Sequence, residues 1–258
     1  MQSSEFSQQC VLVSGANSGI GAALSQQLLE QGARLIALDL HTDQLNVLTQ
    51  QYPEQLSAIQ VDVSQAQAVR DAVEQGQEKM GPIAKVACVA GVLQMGQLWE
   101  LSAAQWQRAF AVNTDGVFHV CQAVLPGMIE RRHGAIVNVS SNAATTPRAN
   151  MSAYAASKAA VTQLSRCLGL EVAQYGIRVN IVSPGSTDTA MQQAMWQQGS
   201  SRETVIAGAP EQFRLGIPLA RIAKPDDIAQ AILYLLSERA RHITLHDLRV
   251  DGGATLDQ

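Results

Sequence analysis

Residues 10–21 read Cys10-Val-Leu-Val-Ser-Gly-Ala-Asn-Ser-Gly-Ile-Gly21. The short uncharged run at 10–14 suits a buried strand. Glycines at 15, 19 and 21 then open a helical pattern, Ala22 to Gln31, which Gly32 closes. A strand, a glycine loop and a helix in that order turn backbone N–H groups and a helix N-terminus toward a pyrophosphate, with no Cβ where the phosphate must approach. The spacing is Gly-x-x-x-Gly-x-Gly, so it differs from the common Gly-x-Gly-x-x-Gly. Gly15, Asn17, Ser18, Gly19, Ile20 and Gly21 are the candidate cofactor loop.

Outward from this unit the chain alternates. A second strand, Arg34-Leu-Ile-Ala-Leu-Asp39, ends in a carboxylate about 20 residues after the loop, where an acid can accept both hydroxyls of an adenosine ribose. Such a carboxylate repels a 2′-phosphate, and the neutral Asn17 and Ser18 offer no cation to pair one, so NAD is expected over NADP. An ordinary helix-capping role for Asp39 is the alternative. A polar helix (42–51), a strand (56–61) ending at Asp62-Val63, a helix (64–79) and a strand (84–90) broken by Gly91 follow. Asp62 is placed to reach an adenine edge. The loop from Val92 to Leu98 lies at strand C-terminal ends, where open sheets bind ligands. Ser102-Ala-Ala-Gln105 has the form of a capping box and starts a helix, and Asn113 falls on a second long helix that ends near Glu130. A fifth strand ends at Ser141 after the run 134–141, a sixth, 178–183, stops at Pro184-Gly185, and a helix (225–237) and a strand (242–250) complete the chain. The alternation predicts one Rossmann-like, doubly wound parallel sheet of about seven strands with helices on both faces, a single α/β domain over 1–258.

Two segments bear on chemistry. Tyr154 and Lys158 are four apart in an apparent helix from Ser152, so phenol and ammonium share a face. A tyrosine with a pKa of about 10 is a poor base near neutrality; a nearby ammonium favours the phenolate, and lowering by about three units takes roughly 4 kcal/mol. Ser141, at the end of Gly134-Ala-Ile-Val-Asn-Val-Ser-Ser141, is placed to hold a substrate hydroxyl opposite that phenol. A surface helix can carry the same Tyr-x-x-x-Lys spacing with no chemistry attached. Residues 186–215 lack strand character and are long for a connection, which predicts a substrate lid. Met191, Met195, Trp196 and Phe213 there either close over a flat apolar ring or pack together.

Composition excludes several classes. With 47% hydrophobic residues and a formal net charge of −4 over 258 residues, there is no basic field for nucleic acid, and a small-molecule substrate is expected. No apolar stretch nears the roughly 20 residues of a membrane helix, and the first residues lack an export signal. A cytoplasmic protein with no membrane partner is the expectation. Cys10, Cys88, Cys121 and Cys167 have no Cys-x-x-Cys spacing and read as reduced core thiols, and the five histidines have no metal-ligand spacing, so no metal is expected.

Taken together, these residues resemble a short-chain dehydrogenase/reductase over nearly the whole chain. The resemblance rests on Ser14-Gly-x-x-x-Gly-Ile-Gly21, Asp62-Val63, Ala90-Gly91, Asn113, Ser141, Tyr154 with Lys158, and Pro184-Gly185. It implies Tyr154 as general acid/base, Ser141 as the partner of the substrate hydroxyl, and Lys158 as the residue that tunes the tyrosine and holds the nicotinamide ribose. Asn113 would belong to a water-linked proton relay. Val63, Ala90, Gly91, Pro184, Gly185 and Thr187 would border the cofactor, with Thr189 near the nicotinamide carboxamide. A homotetramer through helices 102–132 and 152–175 is also implied. Two departures stand out: Ser14 replaces the usual threonine, and Cys88 replaces an asparagine whose amide hydrogen bonds a thiol cannot reproduce.

Leu93-Gln-Met-Gly96, Thr146-Pro-Arg148, Ser183 to Thr189, Glu211 to Leu219 and His242 to Asp247 look more narrowly like one branch of that family. That branch oxidises a dihydroxy-cyclohexadiene carboxylate to a catechol acid for siderophores. Arg148 is the first candidate for the carboxylate, a solvated or subunit-contact arginine being the alternative; Gln94, Met95, Met191 and Gln212 are further candidates for the pocket. Rival readings are a 3-oxoacyl-thioester reductase, a cyclic alcohol dehydrogenase, and a non-catalytic dinucleotide sensor.

Overall fold

In the computed structural model, which describes residues 4–197 and 201–256, seven parallel strands form one sheet in the order β3-β2-β1-β4-β5-β6-β7. They are β1 (Cys10–Ser14), β2 (Arg34–Asp39), β3 (Leu56–Gln60), β4 (Lys85–Cys88), β5 (Gly134–Val139), β6 (Ile177–Pro184) and β7 (Asp247–Val250). The order reverses between β1 and β4, so the loops leaving these two strands diverge and open a crevice at the C-terminal edge. β1, β4 and β5 are buried along their whole length, as expected of strands covered on both faces.

Helices α1 (Gly19–Glu30), α2 (Asp43–Gln51) and α3 (Ala66–Met80) join the first four strands. Next, α4 (Ala103–Phe110) runs through a π-turn, Ala111–Asp115, into α5 (Gly116–Arg131), so the two helices expected from sequence form one rod. The capping box at Ser102 and Gln105 is formed. The long α6 (Ser152–Val172) connects β5 to β6, and α9 (Pro225–Leu236) precedes β7. One face of the sheet buries Leu24 and Leu28 of α1 with Ile228 and Ile232 of α9; the other buries Val73 of α3, Val120 and Val124 of α5, and Val161 of α6.

Three expectations need correction. The last strand begins at Asp247, not at 242, because Leu245 takes a φ of +65°, which breaks the extended backbone. The preceding residues still bond to β6, Leu245 N–H to Val179 O at 2.7 Å and Ile181 N–H to His246 O at 2.8 Å. The segment after β6 is largely helical. It contains α7 (Ala190–Gln197), α8 (Arg202–Ala207) and a 3₁₀ turn, Pro210–Gln212. It has a small core of its own, Val205, Ile217, Ile222 and Ala254, against which Trp196 packs. Phe213 points to solvent at 95% exposure, so it closes over nothing. Finally, Cys167 is exposed, whereas Cys10, Cys88 and Cys121 are core thiols.

Candidate active site

The glycine loop is held by contact with β4. Gly15 has φ +73°, and a Cβ there would lie 2.6 Å from Ala90 Cα; a Cβ on Gly21 would lie 1.8 Å from Gly15 O. Only glycine fits either position. Beyond the loop, Asp39 ends β2 with Oδ2 accepting from Asn17 N–H at 2.8 Å and Oδ1 accepting from His41 N–H at 3.1 Å, which fixes the carboxylate at the strand tip. The Asn17 side chain turns away toward α2, with Nδ2 donating to Asp43 and Oδ1 accepting from the N–H groups of Gln44 and Leu45. It braces the loop. Asp62 is exposed after β3 and accepts from Ser64 N–H, while Val63 is in the core beneath, its carbonyl 2.9 Å from His119 Nδ1.

The crevice itself is a cleft of ≈ 250 Å³. Its floor is made by β5 and α6. Ser141 follows β5, and its Oγ accepts from Ala143 N–H at 3.1 Å. One turn into α6, Tyr154 hydrogen-bonds Ser141 through its side chain. Lys158 lies one turn further, 3% exposed, with Nζ donating to Val139 O at 2.9 Å and standing 6.0 Å from the centre of the Tyr154 ring. Asn113 is fully buried in the π-turn. Its Oδ1 accepts from Val92 N–H at 2.8 Å, and its Nδ2 donates to Val92 O and to Ser157 Oγ. The loop after β4 is thus tied to α6.

Electrostatics run against one expectation. Burial pushes the Tyr154 pKa up, and the Ser141 hydrogen bond only partly opposes this. Lys158 is not among the influences on the resting phenol; its own ammonium is desolvated and its pKa falls to about 8, with Cys88 a smaller opposing influence. In the unliganded protein the phenol therefore stays protonated. Cys88, in the place of an asparagine, is held as a neutral thiol by its hydrogen bond to Cys121 and by burial. Opposite it in the sheet, Asn138 donates to Ser165 Oγ at 2.9 Å, yet its Oδ1 has no partner.

The remaining walls come from several elements. Ile20, Gly91, Pro184, Gly185, Thr187 and Thr189 lie on the side of the glycine loop. Met95, Arg148, Met191 and Gln212 line the cleft, and Gln94 does not; its Nε2 donates to Met95 O. Sequence reasoning missed Arg214, Gln192 and Asn142. No acidic side chain lines the cleft among the described residues. The geometry fits a dinucleotide: α1 starts at the cleft with no side-chain cap from Ser18, the strand-tip carboxylate of Asp39 is immobilised, and Gly15 and Gly21 exclude any Cβ. No cluster of His, Cys, Asp or Glu that could hold a metal occurs among the described residues, and no helix among them is long and apolar enough to cross a membrane.

A family model described as enoyl-(acyl carrier protein) reductase matches residues 15–255. The chain belongs to the short-chain dehydrogenase/reductase family. It is 48% identical over 251 residues, 96% of each chain, to the vibriobactin-specific 2,3-dihydro-2,3-dihydroxybenzoate dehydrogenase of Vibrio cholerae serotype O1. It is 45% identical over 247 residues, 95% of each chain, to the 2,3-dihydro-2,3-dihydroxybenzoate dehydrogenase of Bacillus subtilis. Among solved structures, a short-chain dehydrogenase/reductase from Brucella melitensis titled glucose/ribitol dehydrogenase superposes with a TM-score of 0.87 at 30% identity, covering 98% of this chain and 99% of that one. Another, ElxO with NADP bound, has a TM-score of 0.86 at 25% identity, covering 95% and 98%. The cofactor class is therefore a nicotinamide dinucleotide.

Proposed function

We propose that this protein is a 2,3-dihydro-2,3-dihydroxybenzoate dehydrogenase that uses NAD and yields 2,3-dihydroxybenzoate, in the cytoplasm, for a catechol siderophore. The observation that carries the reading is the Ser141–Tyr154 pair at the floor of a cleft with Arg148 in its wall, in a chain 48% identical to a dehydrogenase named for that substrate. When bound, NAD supplies a hydride acceptor and a positive ring. Asp39 favours NAD over NADP, since a carboxylate fixed at the tip of β2 would accept from ribose hydroxyls and repel a 2′-phosphate.

The protein's own groups handle the proton. Ser141 holds the 3-hydroxyl of the substrate against the Tyr154 phenol, and Tyr154 accepts the hydroxyl proton as the carbon is oxidised. Lys158, with a pKa near 8, is mainly charged at neutral pH and close enough to stabilise the developing phenolate. Arg148 pairs with the substrate carboxylate, for which a planar guanidinium fork is suited. Asn113 has its carboxamide committed to Val92 and Ser157, so its part is to position the loop after β4. The keto product then tautomerises to the catechol. The 186–215 segment acts as a substrate lid. Phe118 and Trp106 on the α4–α5 rod and Leu170 on α6 are exposed apolar side chains, and they support a homotetramer built on these helices.

The test is NADH formation at 340 nm with 2,3-dihydro-2,3-dihydroxybenzoate, run beside NADP and beside Tyr154→Phe, with sedimentation of the same preparation to read the tetramer. The expected result is fast turnover with NAD, slower turnover with NADP, and a loss of about 10²–10⁴-fold in Tyr154→Phe with NAD still bound. No turnover by the wild type while NAD binds would reject the substrate.

A further inference from the structure

The segment after β6 brings a second guanidinium to the cleft. Arg214 is half-buried in its wall and donates from Nη2 to Ser186 Oγ at 3.4 Å, a long bond. Burial lowers its pKa, and the positive charge of Arg148, on the β5–α6 connection, lowers it further. Two like charges from different parts of the fold are thus held within reach of each other at one cavity, an arrangement that an anion between them would relieve. A third group points the same way. Gln192, in the first turn of α7, is only 8% exposed and lines the cleft, yet its Nε2 has no hydrogen-bond partner. A buried donor without an acceptor is destabilising and calls for a ligand oxygen. No acidic side chain lines the cleft among the described residues, so the Gln192 amide meets no carboxylate there.

We propose that Arg214 and Gln192 join Arg148 as the seat of the substrate carboxylate and set the preference for an acid over a neutral diol. The inference rests on the substrate reading above and adds two residues to it. A carboxylate has two oxygens with about four acceptor sites, enough for a guanidinium from each side and one amide. The seat joins the β5–α6 connection to the 190–217 segment, so the anion also ties that segment down over Ser141 and Tyr154.

The test is calorimetric binding to the full-length, NADH-loaded enzyme of 2,3-dihydroxybenzoate and of catechol, which differs only by lacking the carboxylate. Arg214→Met is expected to weaken the acid by about 10- to 100-fold and catechol by no more than about twofold. Gln192→Glu, of nearly the same shape, sets a like charge against the carboxylate and is expected to act in the same selective way. Catechol binding shows whether each variant keeps a folded site; should Arg214→Met lose it, Gln192→Glu decides. The proposal is overturned if acid and catechol weaken alike, if the acid is unaffected, or if the wild type binds the acid no better than catechol. None of these readings depends on turnover, so a failure of the reaction in the 340 nm assay would remain separate from a failure of the carboxylate seat.

Discussion

Leu12, Leu24, Leu28, Leu35, Ile36 and Leu38 around the glycine loop are all fully buried, and two glycines of the loop, Gly15 and Gly21, have no room for a single added carbon. The segment from Ala190 to Ile222 rests on four buried side chains, one of them borrowed from the C-terminal end of the chain, and leaves Met191, Phe213 and Leu215 exposed. Close packing of the first kind holds one geometry, whereas few apolar contacts mean a low local free energy of opening. The contrast fits a division in which a constant cofactor is met by a rigid surface and a varying substrate by a looser one.

The sharpest way to break the comparison is to add a methyl group to the tight half. Gly21→Ala places a Cβ 1.8 Å from Gly15 O, and Gly15 cannot retreat because Ala90 stands behind it. Overpacking of this severity costs about 3 kcal/mol or more, which for a domain of this size lowers the melting temperature by about 6–12 °C. NAD binding should disappear with it; a variant that melts and binds like the wild type would show the loop to be adaptable.

Lys158 sits at the junction of the two halves and gives a smaller effect of opposite sign. Its folded pKa of about 8 lies below its ordinary value of 10.5, so between these pH values the unfolded chain binds more protons and stability rises with pH. Burying the charge costs about 3 kcal/mol at pH 7 by that shift. Lys158→Met is therefore expected to abolish turnover yet melt at or above the wild-type temperature at pH 7, with the advantage shrinking from pH 8 toward pH 10. Above pH 10 the raised Tyr154 pKa enters with the reverse sign, because the folded protein then keeps a proton that the unfolded chain releases. Melting curves of both proteins from pH 6 to 10 check the crossing; a wild type that loses stability from pH 8 to 10 would contradict it.

The smallest expected effect sharpens the comparison. Val205→Ala removes buried methyl groups from the small outer core and should cost about 1–2 kcal/mol. In hydrogen exchange the loss should appear in 190–222 alone, with a raised KM for the acid and little change in the main melting transition. A uniform loss of protection across the sheet would mean that the segment is no separate unit.

The tight half was also the legible half. Gly15, Gly21 and Asp39 act through local geometry, and the strand, loop and helix that carry them are contiguous, so periodicity and spacing reveal them. Tyr154 and Lys158 share a helix face for the same reason. Arg214 and Gln192 were not visible because their significance depends on a cavity to which separate elements contribute and on an unpaired donor that no local pattern marks. The shortened β7 was misread because Ile243, Thr244 and Leu245 have strand-like composition, while the positive φ at Leu245 is not marked by residue type. Asn17 illustrates the converse: its place in the loop was evident, but its side chain proved to brace α2.

The π-turn at 111–115 has a consequence for how this chain can change over time. A π-turn holds one more residue than the α-turn it replaces, so the rod keeps its buried faces on either side, Ala109 before it and Val117 and Val120 after it. Any insertion or deletion in the flanking turns would rotate those faces by about 100° relative to Asn113. Mutation can rewrite the letters around Asn113, but it has almost no freedom to alter how many there are.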